Sequence, residues 1–276
     1  MLTRILALIS FALLAVASAC DAPALNAASS WYEIVRQDPD PAVVTDAEAR
    51  ARMTATKLPW KVRDRKTGIV MLLCPPGEFT MGSPASEAGR QDNEAQHSVT
   101  ITKAFYLSET EVTQESWQKV VGENPSEFQL ANNPVEQVSW NDCQSFCLSS
   151  GLRLASESEW EYACRAGTTG AYAGDLASMA WFSDNSGGST QLVKQRKPNA
   201  WGLYDMHGNV WEWCQDVYAQ SASSTQQASA GNDGARVLRG GGWSCDASLC
   251  RSACRGSGAP GSAYGLYGFR VARTSE

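Results

Sequence analysis

Beyond residue 166 the chain offers almost no run of apolar residues long enough, or regular enough in period, to make a long helix. Gly, Ser, Asn and Pro dominate there, interrupted by short aromatic pieces. Gly and Pro punctuate turns, and helices need an apolar stripe recurring every three to four residues. This part of the chain must therefore fold as loops held to a small sheet, with aromatic side chains filling the core. Ten tryptophans and 23 glycines in 276 residues supply both the packing and the turns for such a domain. The segments 235–240 and 269–273 read as its last strands.

The first part of the chain is more periodic. After Trp60, Val62–Asp64, Lys66–Gly68 and Ile69–Leu73 read as strand, turn and strand, and Glu78–Gly82 and Ser98–Thr102 as further strands, with a polar surface loop over 83–97. Three helix starts are marked. Thr113 precedes Gln114–Val121, which Gly122 and Pro125 terminate. Ser139, with Asp142 three residues on, precedes a helix whose apolar face is Trp140, Cys143, Phe146 and Cys147. Ser156 and Glu159 form a capping box before Trp160–Cys164. Upstream, helix formers follow Thr45, a candidate N-cap, and Pro59 ends that stretch.

The N-terminus reads as an export signal. Arg4 gives it one positive charge, Ile5–Val16 are apolar, and Ala17-Ser18-Ala19 precede Cys20. The apolar stretch is shorter than the roughly 20 residues a membrane span requires. Cleavage after Ala19 fits the small-residue pattern, and small residues before Cys20 also fit a lipobox, in which Cys20 becomes lipidated. The domain plan is thus a signal peptide over 1–19, a tether and partly helical extension over 20–59, and one domain over 60–276. An exported protein of this kind resides in the periplasm, free or held to a membrane through the lipid on Cys20. Formal charge is −6, from 23 basic and 29 acidic side chains, with no basic block, which excludes a nucleic-acid partner. Eight cysteines besides Cys20 in an exported chain suggest disulfides, and spacing alone cannot choose their connectivity.

Seven segments in order carry a resemblance: Pro76-Gly-Glu-Phe-Thr-Met-Gly82, Glu111-Val-Thr113, Pro134-Val-Glu-Gln-Val-Ser-Trp140, the Arg153–Ala163 run, the Asn199–Trp213 run ending Gly-Asn-Val-Trp-Glu-Trp, Arg239-Gly-Gly-Gly-Trp243 and Gly268-Phe-Arg270. Together they resemble the formylglycine-generating enzyme (sulfatase-modifying factor) family over roughly residues 66–273. The resemblance implies an α+β fold, a loop-rich variant of the C-type lectin architecture with small antiparallel sheets and a few short helices.

It also implies candidate sites. Cys245 and Cys250 fall on the family's two active cysteines, which use copper and oxygen to convert a protein cysteine to formylglycine; two sulfurs are soft ligands suited to Cu(I). The match departs from active members at Gly242, where they carry Ser, at Asp246, where they carry His, and in the run Cys250-Arg-Ser-Ala-Cys-Arg255. The competing reading bridges Cys250 to Cys214. Cys164 and Cys254 align with a structural disulfide. Cys147 aligns with a cysteine whose partner is Val271 here, leaving it free or paired elsewhere, with Cys74 for example. Asn209, Val210 and Glu212 match a calcium loop, against which stands a Glu212 salt bridge; Asn185 and Ser186 match part of a second calcium site that lacks its downstream acid. His207 reads as a surface or supporting histidine, and Arg270 and Arg239 as ties for loop carbonyls. Two functions of different kinds follow. One is an accessory or regulatory binding module, acting as a monomer on another envelope protein; the other is a copper-dependent oxidase acting on such a protein or on a metabolite.

Overall fold

The three helix starts read from the sequence are where the helices begin. In the computed structural model, which describes residues 31–220 and 234–275, the helices are α1 (Ala47–Ala55), α2 (Gln114–Val121), α3 (Trp140–Ser150), α4 (Glu157–Arg165) and the short α5 (Leu176–Met179). Ser116 N donates to Thr113 Oγ1 at 3.2 Å, capping α2. Ser139 and Ser156 close full capping boxes with Asp142 and Glu159. Each cap satisfies amide groups that the first turn cannot, and contributes about 1 kcal/mol. The cap of α1 differs from expectation. Asp46, not Thr45, takes that place, accepting from Glu48 N at 2.9 Å. The expected signal peptide, Cys20 and the tether over 21–30 lie outside the described residues.

The strands are β1 (Tyr32–Arg36), β2 (Lys61–Asp64), β3 (Val70–Cys74), β4 (Gly77–Met81), β5 (His97–Ile101), β6 (Phe105–Ser108), β7 (Arg153–Leu154), β8 (Trp211–Val217), β9 (Arg236–Arg239), β10 (Arg255–Gly258), β11 (Tyr267–Gly268) and β12 (Val271–Thr274). They form a six-stranded sheet in the order β1-β2-β3-β6-β12-β7, a four-stranded sheet in the order β10-β9-β8-β11, and the hairpin β4-β5. All pairings are antiparallel except β11 with β8. The mixture of small sheets, few helices and long loops is the α+β, loop-rich fold expected.

Two central strands left no period-two signature. All four residues of β6 are buried, as are Trp211–Cys214 of β8. A strand covered on both faces has no polar side to alternate with. Between the two larger sheets the core is aromatic. Trp117 of α2 stacks on Phe146 of α3 at 5.5 Å between ring centroids, and Phe269 meets both rings edge-on. This places the segment just before β12 under the two helices and fixes Arg270 in the interior.

Candidate functional site

Two neighbouring centres occupy the loops at the end of the four-stranded sheet. The first is acidic. Gly208 and Asn209 both take positive φ, +81° and +61°, a conformation that glycine adopts freely and asparagine tolerates. A Cβ on Gly208 would stand 2.1 Å from Trp181 O, so the turn admits nothing larger. The turn aims Asn209 inward. Its Nδ2 donates to Glu111 Oε2 at 2.7 Å, Val210 N donates to Glu111 Oε1 at 3.1 Å, and Asn209 Oδ1 accepts from Gln191 N at 3.0 Å. Glu212, on β8, accepts two guanidinium bonds from Arg270 at 2.6 and 2.7 Å and a third from Trp160 Nε1 at 2.6 Å. Arg270 also reaches Ser108 O and Tyr204 O.

Three carboxylates, Glu111, Asp205 and Glu212, thus surround one arginine. Burial pushes the carboxyl of Glu111 well above its usual range, with Asp205 adding to the rise. Burial lifts Asp205 to about 6. One Asp205 oxygen accepts from Lys194 N at 2.8 Å, and the other is buried without a partner.

The second centre is built of sulfur. Gly240 and Gly241 also have positive φ, and a Cβ on Gly241 would lie 2.7 Å from Cys250 Sγ. The glycine pair is therefore what lets the chain pass over Cys250. A 3-10 turn, Ala247–Cys250, returns Cys250 toward Cys245. Trp211 Nε1 donates to Cys245 Sγ at 3.2 Å. Cys245 is 8% exposed and Cys250 fully buried. Burial pushes both thiols up; the neighbouring Cys245 and Cys254 add to the rise at Cys250, and the Trp211 hydrogen bond offsets part of it at Cys245.

His207 joins the two centres. Its Nε2 accepts from Ala173 N at 3.1 Å, so the proton sits on Nδ1, which donates to Cys250 O at 2.7 Å. Of the two readings the sequence left open, surface or supporting, the ring is buried and supporting, and burial lowers it to about 4. It is a neutral tie between the segments around Ala173 and Cys250.

The arginines after Cys250 are equally committed. Arg251 binds Glu94 with two nitrogens at 2.7 Å each, Glu87 at 2.7 Å and Gly89 O at 2.6 Å, fastening the 83–97 loop. Arg255 grips Glu157 at 2.6 and 2.9 Å. Arg239, expected to tie carbonyls, does so at Ser252 and Ala253 and also pairs with Glu157 and Glu161.

All eight cysteines of the described residues are unbridged thiols, so neither expected pair, Cys164 with Cys254 or Cys214 with Cys250, is joined. Cys164 Sγ instead lies 3.7 Å from Met206 O and Ser252 Oγ and 3.8 Å from His207 Nε2. Cys214 sits 3.9 Å from Glu212 O, among the charges of Asp216, Glu157 and Arg239, while Cys250 faces Cys245 and Cys254.

The calcium residues are likewise occupied by the protein. Both Glu212 oxygens and the Asn209 amide oxygen accept protein donors. At the second pair, Asn185 Oδ1 accepts from Phe182 N and Ser186 Oγ donates to Trp243 O. A calcium ion takes six to eight converging oxygens, main-chain carbonyls such as that of Val210 among them, and the side-chain oxygens of Asn209, Glu212, Asn185 and Ser186 are already hydrogen-bonded within the protein. Among the described residues no group of three or more His, Cys, Asp or Glu side chains is disposed to hold a metal. Cys245 lies near enough to Cys250 to add to the rise of its thiol. Sequence reasoning named neither Asp205 nor Trp211 individually, although both lie in the Asn199–Trp213 run; Glu111 stood in a quoted segment without a role.

Comparison with known proteins agrees with this geometry. Residues 59–275 match the family model of the sulfatase-modifying factor enzyme 1-like domain. The formylglycine-generating enzyme of Streptomyces coelicolor is 34% identical over 190 residues, 58% of this chain and 59% of that protein. The chain spans about half to three-fifths of the length of the formylglycine-generating enzymes it matches, 48–60%. The serine/threonine-protein kinase pkn1 of Chlamydia pneumoniae is 32% identical over 238 residues, 74% of this chain and 38% of the kinase. Among solved structures, PvdO from Pseudomonas aeruginosa superposes with a TM-score of 0.71 at 30% identity, covering 78% of this chain and 98% of that one. On the breadth of the family match and the architecture of its loops, the chain belongs to the formylglycine-generating enzyme, or sulfatase-modifying factor, family.

Proposed function

We propose that this protein is an exported accessory module of the family, whose loop surface recognises another envelope protein, and that it does not oxidise cysteine. The observation that carries this reading is the state of the sulfur centre. Cys250 is buried, and in the metal-free protein burial and the two neighbouring cysteines push its thiol up. No cation lies among the causes acting on Cys245 or Cys250, and Asp246 opposes ionisation of both. A reactive cysteine ordinarily sits beside a positive group and partly open to solvent. Here the available cations, Arg251 and Arg255, are bound to Glu94, Glu87 and Glu157.

A recognition role also fits the loop face. Val193 N donates to Asn132 O and Gln137 N to Tyr264 O, so three loops form one connected surface. It presents Leu130, Leu192 and Tyr264, 60%, 39% and 57% exposed. Exposed apolar groups of this kind mark interaction sites when they cluster. Similarity to part of a protein kinase supports a role that does not require oxidase chemistry. Export, and the choice between a soluble periplasmic form and a lipid anchor on Cys20, rest on the N-terminal sequence; membrane fractionation of the wild type and of Cys20→Ala decides between those two forms.

One observation favours the alternative. Trp211 Nε1 donates to Cys245 Sγ, and a donor on sulfur favours its ionised form. If copper is held, Cys245 and Cys250 hold it, and the metal supplies activation of oxygen. The experiment is direct: the full exported protein is incubated with Cu(I), oxygen and a cysteine-containing peptide, and the peptide is followed by mass spectrometry. No conversion and no stoichiometric Cu(I) uptake are expected; conversion of the cysteine to its aldehyde overturns the proposal.

A further inference from the structure

A different surface forms where the described chain begins. Arg63, Arg65, Lys66 and Arg273 make no basic block in the sequence, and the fold gathers them beside the β2–β3 turn and the end of α3. Arg63 Nη1 donates to Gly68 O at 3.3 Å, and Arg65 Nε to Tyr32 O at 3.0 Å. Lys66 Nζ donates to Ser149 O and Arg273 Nη1 to Gly151 O at 3.2 Å, so both close on carbonyls at the C-terminal end of α3. Arg273 also lies over the ring of Trp31, 4.3 Å from its centroid, and Arg65 N donates to Trp31 O at 3.0 Å. These contacts join the four cations into one patch around Trp31.

Each of these acceptors is a main-chain carbonyl, not a carboxylate. The cations are held in place without being neutralised, unlike the interior arginines. Among the described residues none of the four joins an ion pair. The acids on β1 and β2 are Glu33 and Asp64. Asp64 is buried and accepts from Thr67 N and Oγ1, which leaves Glu33, cross-strand from Arg63, as the exposed acid against four cations. Such a surplus is out of proportion in a chain of formal charge −6. Arg63, Arg65 and Lys66 are all exposed. Next to Ser149, Leu148 is 84% exposed, more than any other large apolar side chain among the described residues.

We propose that this patch is a membrane-contact surface, which docks on a bilayer carrying anionic lipid, with Arg63, Arg65, Lys66 and Arg273 against the phosphates and Leu148 and Trp31 at the level of the headgroups. Each Lys or Arg close to an anionic bilayer strengthens binding about fivefold. An indole ring suits the boundary between headgroup and acyl layers, and an exposed leucine adds apolar contact there. The connectivity of the chain selects the bilayer as the occupant. Trp31 follows directly on the 20–30 tether, and Cys20, the candidate for lipidation, stands eleven residues before it. Fully extended, that stretch reaches about 35–40 Å, so a lipid on Cys20 keeps the patch near the membrane. The inference shares with the proposed function only the expectation of export and anchoring; the patch itself needs neither a lipid nor a protein partner to bind.

The test uses the mature chain, residues 20–276, with Cys20→Ala so that no lipid is attached; residues 31–276 are a compact unit by themselves. Co-sedimentation is measured with vesicles of phosphatidylcholine alone and of phosphatidylcholine mixed with phosphatidylglycerol. Binding to the anionic vesicles is expected to be at least tenfold tighter than to the neutral ones, and to weaken as salt is raised, because exposed charges are screened. Arg65→Gln combined with Lys66→Gln should weaken it at least tenfold, two charges at about fivefold each. Lys197→Gln, which removes an exposed cation outside the patch, should leave it unchanged. Leu148→Asn should weaken it severalfold without lowering the melting temperature, since that side chain packs on almost nothing. The inference is overturned if the anionic vesicles are not bound, if both kinds of vesicle bind equally, or if the folded double variant or Leu148→Asn retains the affinity of the parent chain. Neither copper nor a partner protein enters this measurement, so its failure leaves the proposed function standing.

Discussion

Two buried charge clusters lie within the same fold and are balanced in opposite ways. In one, Arg165, Arg239 and Arg255 bind Glu157 and Glu161, and the remaining guanidinium donors go to carbonyls of Gly82, Gly170, Ser252 and Ala253. In the other, Glu111, Asp205 and Glu212 share Arg270. An excess of arginine is easily satisfied in a loop-rich fold, because loops present unpaired carbonyls and a guanidinium has five donors. An excess of carboxylate has no such remedy, since it accepts and cannot donate unless protonated. The acid-rich cluster therefore responds to pH, through the raised carboxyls of Glu111 and Asp205.

The largest effect comes from breaking the arginine-rich cluster. Arg239→Ala leaves Glu157 and Glu161 short of a buried partner, and removing one member of a buried ion network costs about 3–5 kcal/mol. Denaturant unfolding should show that loss, with the helix α4 signal melting first by hydrogen exchange. A loss below about 1 kcal/mol would mean that Arg165 and Arg255 alone balance the two glutamates.

Next in size is the pH response of the acid-rich cluster. The folded value of Asp205, about 6, lies above its ordinary 3.8, so the native state binds the extra proton. Stability from this group is fully present below about pH 4 and is lost as pH rises through 6. The gap between the folded and ordinary values corresponds to about 3 kcal/mol. The difference in unfolding free energy between Asp205→Asn and the wild type should therefore move in favour of the variant between pH 4 and pH 7. A flat difference would show that Asp205 does not carry the response.

The smallest effect concerns calcium. With Glu212 and Asn209 already saturated by Arg270, Trp160 and Gln191, adding calcium or a chelator should leave the melting temperature unchanged. A rise of several degrees with calcium would show that the acid-rich cluster opens to take a cation, and would make the two clusters differ in kind as well as in balance.

Much of this was legible beforehand for a physical reason. Thr113, Ser139 and Ser156 announce helices because a cap acts within three residues of itself. The Gly208-Asn209 and Gly240-Gly241 pairs stood inside quoted segments, but their positive φ was seen only in the structure. The strands β6 and β8 were not announced, since burial on both faces removes alternation. Nor was β1, which pairs with β2.

The site divides along the same line. The sequence by itself determined the family, the loop-rich α+β fold, the starts of α2, α3 and α4 and the spacing of Cys245 and Cys250, all matters of neighbouring residues and ordered motifs. Only the tertiary structure decided what those residues face. Glu212 meets Arg270 across 58 residues of chain, Arg251 meets Glu94 across 157, and Arg273 lies over Trp31 from the far end of the described chain. Ionisation, metal fit and surface charge depend on these distant partners, because charge and desolvation act through space and not along the chain.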